Sequence, residues 1–422
     1  MSKLLLCSNS GIPDGFGRIA DEIGIRLAKR GVQILGASYT YDGLLPAMHE
    51  GTPLPYHVAG LSGKDANSVI MQLINVFQPD AVLCIQDFPY LEGVRYAPVD
   101  WSKHAFIGIT PVDGTPIYSR WIDLAKIADA LLTISQFGVE AFRQQGVTVG
   151  LCRPGVDGNV FYPTTMPEKA ELRAKLGLPK GAFVLGTAAM NQGRKAISTM
   201  IECFFEFAKD KPHARYLLDM DKASAAGWEV SGMLCKPNGW DESKLLFRED
   251  CLRAGLFHLR QRYAVMDAHA VLAHREGYGL PLVEAQACGV VSIAMDYSSG
   301  REICGDGKGV LVKPIDYFEY GTWGGARDFF PDKKDFVAQL QRLHDHPAER
   351  ASIAQKGMEW ARSAPWDAAA DAVHATLERV LLMRLLQSPA ATVTMAPAPS
   401  APAASPDGVA KVDTPAPLIV QS

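Results

Sequence analysis

Short, wholly apolar runs recur along most of this chain, each followed by a connection long enough to hold a helix, and few folds satisfy that rhythm. Leu4-Leu5-Leu6-Cys7, Val32-Gln33-Ile34-Leu35, Asp80 to Ile85, Ala105 to Ile109 and Ala130 to Ile134 form a first series. Phe183 to Gly186, Arg215 to Asp219, Ala270 to Ala273 and Val290 to Ile293 form a second. Strands apolar on both faces belong to parallel sheets covered on both sides. Between the first two runs, Ile19, Ile23 and Leu27 recur every fourth residue and the segment stops at Lys29-Arg30-Gly31, which reads as a helix with a C-terminal glycine. The rhythm breaks near Val156 to Pro163, a polar helix follows over Pro167 to Leu176, and a helix is expected from Ala196 to Ala208. The expected fold class is therefore α/β, with two doubly wound Rossmann-like domains facing across a cleft. The expected divisions are an N-terminal domain over 1–165, closed by a returning helix at 366–386, and a C-terminal domain over 166–362.

With 422 residues, nearly half of them hydrophobic, the chain has material for two full cores. The 8 cysteines stand singly, with no C-x-x-C pair, which reads as reduced, buried thiols in a cytoplasmic protein. The N-terminal apolar run is too short for a signal peptide, and Arg379 and Arg384 interrupt the most apolar helix, so no membrane span is expected. A net charge of −4 argues against a bulk nucleic-acid coat and leaves a local basic groove open. The segment 388–422, with prolines at Pro389, Pro397, Pro399, Pro402, Pro406, Pro415 and Pro417, reads as a disordered tail.

Ligands of doubly wound sheets bind beyond the carboxyl ends of the strands, and three strings there carry chemistry. The first, Asn9 to Arg18, places Gly15 and Gly17 around Phe16 just before a helix, where backbone N–H groups approach an anion. Ordinary strand-to-helix packing explains the same letters. No acidic residue ends the second strand, so a dinucleotide fingerprint is absent and an oxidoreductase is disfavoured. The second string, Met190-Asn191-Gln192-Gly193-Arg194-Lys195, sets two cations at a strand's carboxyl end. Arg194 can take two phosphate oxygens in a fork and Lys195 adds a point charge. A solvated helix start is the bland alternative.

The third string is the most specific: Glu276-Gly277-Tyr278-Gly279-Leu280-Pro281-Leu282-Val283-Glu284-Ala285-Gln286-Ala287-Cys288-Gly289. Glu276 belongs to a loop, Pro281 starts a helix, and Glu284 is expected in that helix's first turn. A carboxylate accepts from two adjacent sugar hydroxyls, and the glycines free N–H groups for phosphate.

This string resembles the retaining glycosyltransferases of the GT-B fold, of the family-4 type with an E-x7-E motif, with Tyr278 in place of the usual Phe. The resemblance extends to Tyr263 and Asp267 upstream, Gly300-Arg301-Glu302-Ile303 and Gly309 to Val312 downstream, and Pro154-Gly155-Val156-Asp157 at the hinge. It implies that Glu284 holds the nucleotide ribose and that Glu276 contacts the transferred sugar. Gly277, Tyr278, Gly279 and Leu280 would offer backbone to sugar and phosphate, and Gly15, Phe16, Gly17 and Asn191 would complete the donor site. Arg194 and Lys195 would stabilise the leaving diphosphate in place of a metal, so neither metal nor cofactor is expected. Many relatives place a His before an Asp after the fourth strand; here Thr110-Pro111-Val112-Asp113 keeps only Asp113, expected at sugar or acceptor, with a loop cap as the alternative. His274 is read as structural.

The implied activity moves a hexose from a nucleoside diphosphate sugar, UDP favoured over GDP, to an acceptor hydroxyl with retention. A catalytically silent sugar-nucleotide-binding module and a sugar-nucleotide epimerase are the alternatives. The acceptor is unread: a small molecule, a glycan, a protein or a modified DNA base, with the net charge of −4 slightly disfavouring DNA.

Overall fold

The computed structural model describes residues 1–247, 255–319 and 326–387; Cys251 and the expected tail, 388–422, lie outside the described residues. Met1–Leu381 form one compact unit; in the second, Leu382–Ser422, the described residues 382–387 are helical.

The first strands are β1 (Lys3–Ser8), β2 (Gln33–Ser38), β3 (Met48–His49), β4 (Thr52–Pro53), β5 (His57–Gly60), β6 (Ala81–Ile85), β7 (Ala105–Thr110), β8 (Ala130–Thr133) and β9 (Gly150–Leu151). The later ones are β10 (Val184–Ala188), β11 (Arg215–Asp219), β12 (Leu245–Phe247), β13 (Ala268–Val271), β14 (Val291–Met295), β15 (Val310–Val312), β16 (Pro314–Glu319) and β17 (Arg327–Pro331). Among the described residues they build a seven-stranded sheet, ordered β5-β2-β1-β6-β7-β8-β9, a six-stranded sheet, ordered β12-β11-β10-β13-β14-β15, and two separate antiparallel pairs, β3–β4 and β16–β17. Among the described residues the strand pairings within the two larger sheets are parallel, for example Leu5 opposite Leu35 and Val82, and Leu185 opposite Tyr216 and Ala268. β1 and β10 are thus the strands at which the order reverses. A crevice opens at the carboxyl end of such a strand, and the Asn9–Arg18 and Met190–Lys195 loops leave from those two ends.

Alternate residues of β1 enter different cores, as the period of a strand requires. Leu5 and Cys7 pack with Ile70, Ile74 and Phe106 on one face. Leu4 and Leu6 join a cluster that also contains Val184, Tyr263, Leu282 and Trp366, so a single apolar core runs from one sheet to the other. Leu185, Ile197, Phe204 and Tyr216 close the far face of the second sheet.

Helix Gly15–Lys29 begins at Asp14, whose side chain accepts from the Gly17 N–H, and ends before Gly31 at φ 86°. The polar helix appears as Met166–Lys175 and the one after β10 as Ile197–Phe207. Helix Trp366–Gln387 follows a close crossing: a Cβ on Gly155 would stand 2.3 Å from the Trp366 nitrogen. Its first turns lie on the N-terminal sheet side, with the Val156 N–H donating to Ala364 and Arg30 pairing with Asp371.

The described strands differ from expectation mainly at the edges. β13 starts two residues earlier than the apolar run implied, because His269 is a buried strand residue and its Nε2 accepts from the Ala188 N–H. β5, β9 and β12 are too short to show a period. The antiparallel β16–β17 pair had no counterpart in the sequence reading, because its side chains alternate aromatic and charged groups without a solidly apolar face.

Candidate functional site

Two ion clusters meet where the carboxyl ends of the sheets face one another. In the first, Lys195 is paired with Glu276, and Arg194 Nη1 lies 3.7 Å from the same Glu276 oxygen. Arg194 and Lys195 form a single helical turn after β10, and the Arg194 carbonyl accepts from the His274 N–H, which ties that turn to the loop carrying Glu276. Burial pushes the Glu276 carboxyl up, but Lys195 and Arg194 outweigh it and hold it below the ordinary carboxylate range. Lys195 is lowered by burial first and then by the like charge of Arg194. The Lys195 side chain is only 11% exposed, so this charge is held in place before any ligand arrives.

Asp113 reaches the same cluster from the other sheet. A Cβ on Gly277 would lie 2.7 Å from Asp113 Oδ1 and 2.4 Å from the Pro111 Cβ, so a glycine is what allows the two loops to touch. Burial raises the Asp113 carboxyl; Arg194 opposes this and Glu276 adds to it. Asp87, at the end of β6, belongs here too and was missed as a site residue. Burial and then Asp113 push it up to about 6, with Arg194 and Arg275 pulling against them. No sequence motif marks Asp87; only the adjacency of β6 and β7 brings it beside Asp113.

That shift gives a stability prediction. An aspartate whose folded value lies above its unfolded one binds its proton more tightly when folded, so its contribution falls as pH rises through the interval from about 4 to about 6. Asp87→Asn is therefore expected to raise the melting temperature at pH 7 to 8 and to change it little at pH 4, measured by thermal unfolding across that range.

The second cluster surrounds Glu284. This carboxylate is 3% exposed; Tyr263 donates to its Oε2 at 2.8 Å, and Arg18 from helix Gly15–Lys29 pairs with its Oε1. Glu284 thus takes its cationic partner from the N-terminal half, whereas Glu276 takes Lys195 and Arg194 from its own half.

The remaining expected residues divide between wall and mouth. Asn191 is buried, and its amide is used on the backbone of Asp221 and Trp228, so its side chain fixes the 221–228 loop. The Tyr278 hydroxyl donates to the Pro154 carbonyl, so the ring points to the hinge and only its backbone remains for a donor. Gly279, at φ 100°, precedes helix Leu280–Ala287, whose first residue is Leu280. Gly15 has open space where a Cβ would be, whereas a Cβ on Gly17 would meet the Ile12 carbonyl at 2.0 Å. Phe16 packs against the shared core. The end of this helix already has an anion of its own: Asp14 accepts from the Gly17 N–H and from Asn9. His274 has its ring against Phe330 and is lowered by burial.

The β16–β17 pair completes the wall. Asp328 pairs with Arg275 at 2.9 Å, the Phe329 N–H donates to the His274 carbonyl, and the Arg327 N–H donates to Thr115. It therefore ties the Glu276 loop to the Asp113 loop.

Residues 257–319, which contain both glutamates, match the family described as glycosyl transferases group 1. The chain is 30% identical over 226 residues to a D-inositol 3-phosphate glycosyltransferase of Kineococcus radiotolerans, covering 52% of this chain and 49% of the relative. A protein of the same name from Thermomonospora curvata is 27% identical over 245 residues, 55% of this chain and 52% of its own. The chain thus spans about half the length of the curated relatives it matches. In fold it is similar to the sucrose-phosphate synthase of Thermosynechococcus elongatus, with TM-score 0.73 at 17% identity over 91% of this chain and 100% of that one. HepE of Anabaena, solved in complex with UDP-glucose, gives TM-score 0.71 at 18% identity over 90% and 100%. The chain has the GT-B fold, and its residues 257–319, which hold Glu276 and Glu284, match the group 1 glycosyl transferases.

Proposed function

We propose that this chain is a retaining hexosyltransferase that uses a nucleoside diphosphate sugar, with UDP favoured, and transfers to an acceptor hydroxyl. The observation that carries the reading is the Lys195–Glu276–Arg194 cluster facing Asp113 from the opposite sheet. Glu284 accepts from the ribose hydroxyls. Glu276 accepts from a hydroxyl of the transferred sugar, and Arg194 and Lys195 donate to the diphosphate from the positions they already hold. The acceptor oxygen forms its bond to the anomeric carbon on the face that the diphosphate leaves. The bond from that carbon to the diphosphate oxygen breaks, and the acceptor's proton passes to a diphosphate oxygen. The charge that builds on the leaving oxygen is met by two cations already fixed in a low-dielectric site, where such stabilisation is largest. No resident metal is required for that step. We place the enzyme in the cytoplasm, in keeping with free, buried thiols at Cys7, Cys84, Cys152, Cys203, Cys235, Cys288 and Cys304.

The test is a melting-temperature panel with UDP, GDP, ADP and their sugars, since a ligand that binds only the folded state raises stability predictably. It is joined to an assay of nucleoside diphosphate release. A UDP sugar is expected to stabilise the protein and to be consumed by wild type but not by Glu276→Ala. Equal release by both proteins would defeat the reading; stabilisation without release would mark a silent binding module.

A further inference from the structure

Glu284 receives one neutral donor from its own half of the molecule and one cation from the other. Tyr263, in helix Gly255–Val265, satisfies Oε2; Arg18, from helix Gly15–Lys29, satisfies Oε1. An ionised carboxylate removed from water is costly unless it is paired. The only cation paired with Glu284 among the described residues is Arg18, which reaches it across 266 positions of sequence. A carboxylate acts as a double acceptor for a vicinal diol only while ionised, because protonation turns one oxygen into a donor.

We propose that Arg18 is a positioning residue of the donor site, supplied by the N-terminal half: it keeps Glu284 ionised and oriented so that this carboxylate reads the ribose diol of a nucleoside diphosphate. The proposal rests on the reading of Glu284 as the ribose ligand. It adds that the C-terminal half does not contain a complete nucleotide site. Nucleotide affinity and the approach of the glycine-loop helix then share one contact, and whatever strengthens one strengthens the other.

The experiment compares ribo- and 2′-deoxyribonucleoside diphosphates of uracil, guanine and adenine, by calorimetry on the full chain. Wild type is expected to prefer the ribo form of the base it binds best. Arg18→Gln and Arg18→Met are expected to bind that form about tenfold more weakly or worse, the scale of losing a hydrogen bond to a charged group. In both variants the ribo-to-deoxyribo preference falls toward one, and Arg18→Lys restores most of it. Melting temperatures without ligand report on folding. The proposal is overturned if removing the Arg18 charge tightens binding, or weakens ribo and deoxyribo forms alike with the preference intact. The underlying reading fails separately if Glu284→Gln keeps the wild-type preference, or if no nucleoside diphosphate binds wild type.

Discussion

Lys195→Ala is expected to lower the rate of sugar transfer by a factor of about 10² to 10³, the range found when one preorganised donor is removed from a developing negative charge. The Lys195 ammonium is nearly buried and already faces the site through Glu276, so it needs little reorganisation at the moment of bond breaking. The loss belongs in kcat more than in KM, because the charge it meets grows only in the transition state. Lys195→Arg keeps a cation and should recover part of the rate. The same substitution carries a pH signature. Glu276 lies below the ordinary range because Lys195 and then Arg194 overcome its burial. Without Lys195 only Arg194 remains, at 3.7 Å, so the carboxyl rises and the acid limb of the rate profile moves to higher pH. Steady-state kinetics from pH 4 to 8 read both effects; an unmoved acid limb would separate Lys195 from Glu276.

Arg262→Ala should produce the largest loss of stability. Arg262 pairs with Asp219, and the two side chains are 2% and 0% exposed. Arg262→Ala breaks this buried pair at the carboxyl end of β11, which costs about 3–5 kcal/mol. Replacing both members by apolar residues, Arg262→Met with Asp219→Leu, removes both charges and should restore part of that loss. Urea unfolding of the two variants beside wild type measures it. Nucleotide binding by the double variant, compared at the same temperature, then tells whether the pair also shapes the donor pocket.

Much of the architecture was legible because burial on both faces writes itself as an unbroken apolar run. β6, β10 and β11 were read to within a residue or two for that reason. The Glu276–Glu284 string was legible because its glycines, proline and carboxylates are all needed in a fixed order along one segment. Contacts made by folding were not legible. Arg18 appeared only as the end of a glycine loop, since nothing in its neighbours announces a partner on another sheet. Asp87 follows an ordinary strand and acquires its character from Asp113 and two arginines brought from elsewhere. Asp14 was overlooked because a helix cap and a phosphate loop use the same letters, and the structure shows its carboxylate holding the Gly17 N–H. The β16–β17 pair escaped because an aromatic, half-exposed antiparallel pair lacks the apolar face by which strands are recognised.

The apolar cluster that contains Leu4, Val184, Tyr263 and Trp366 draws on both sheets at once. The halves are therefore not exchangeable cassettes. A recombinant that joined one half to a foreign counterpart would have to match side-chain shapes along the whole seam. New specificities are then easier to reach through loop replacement at the rim than through wholesale shuffling.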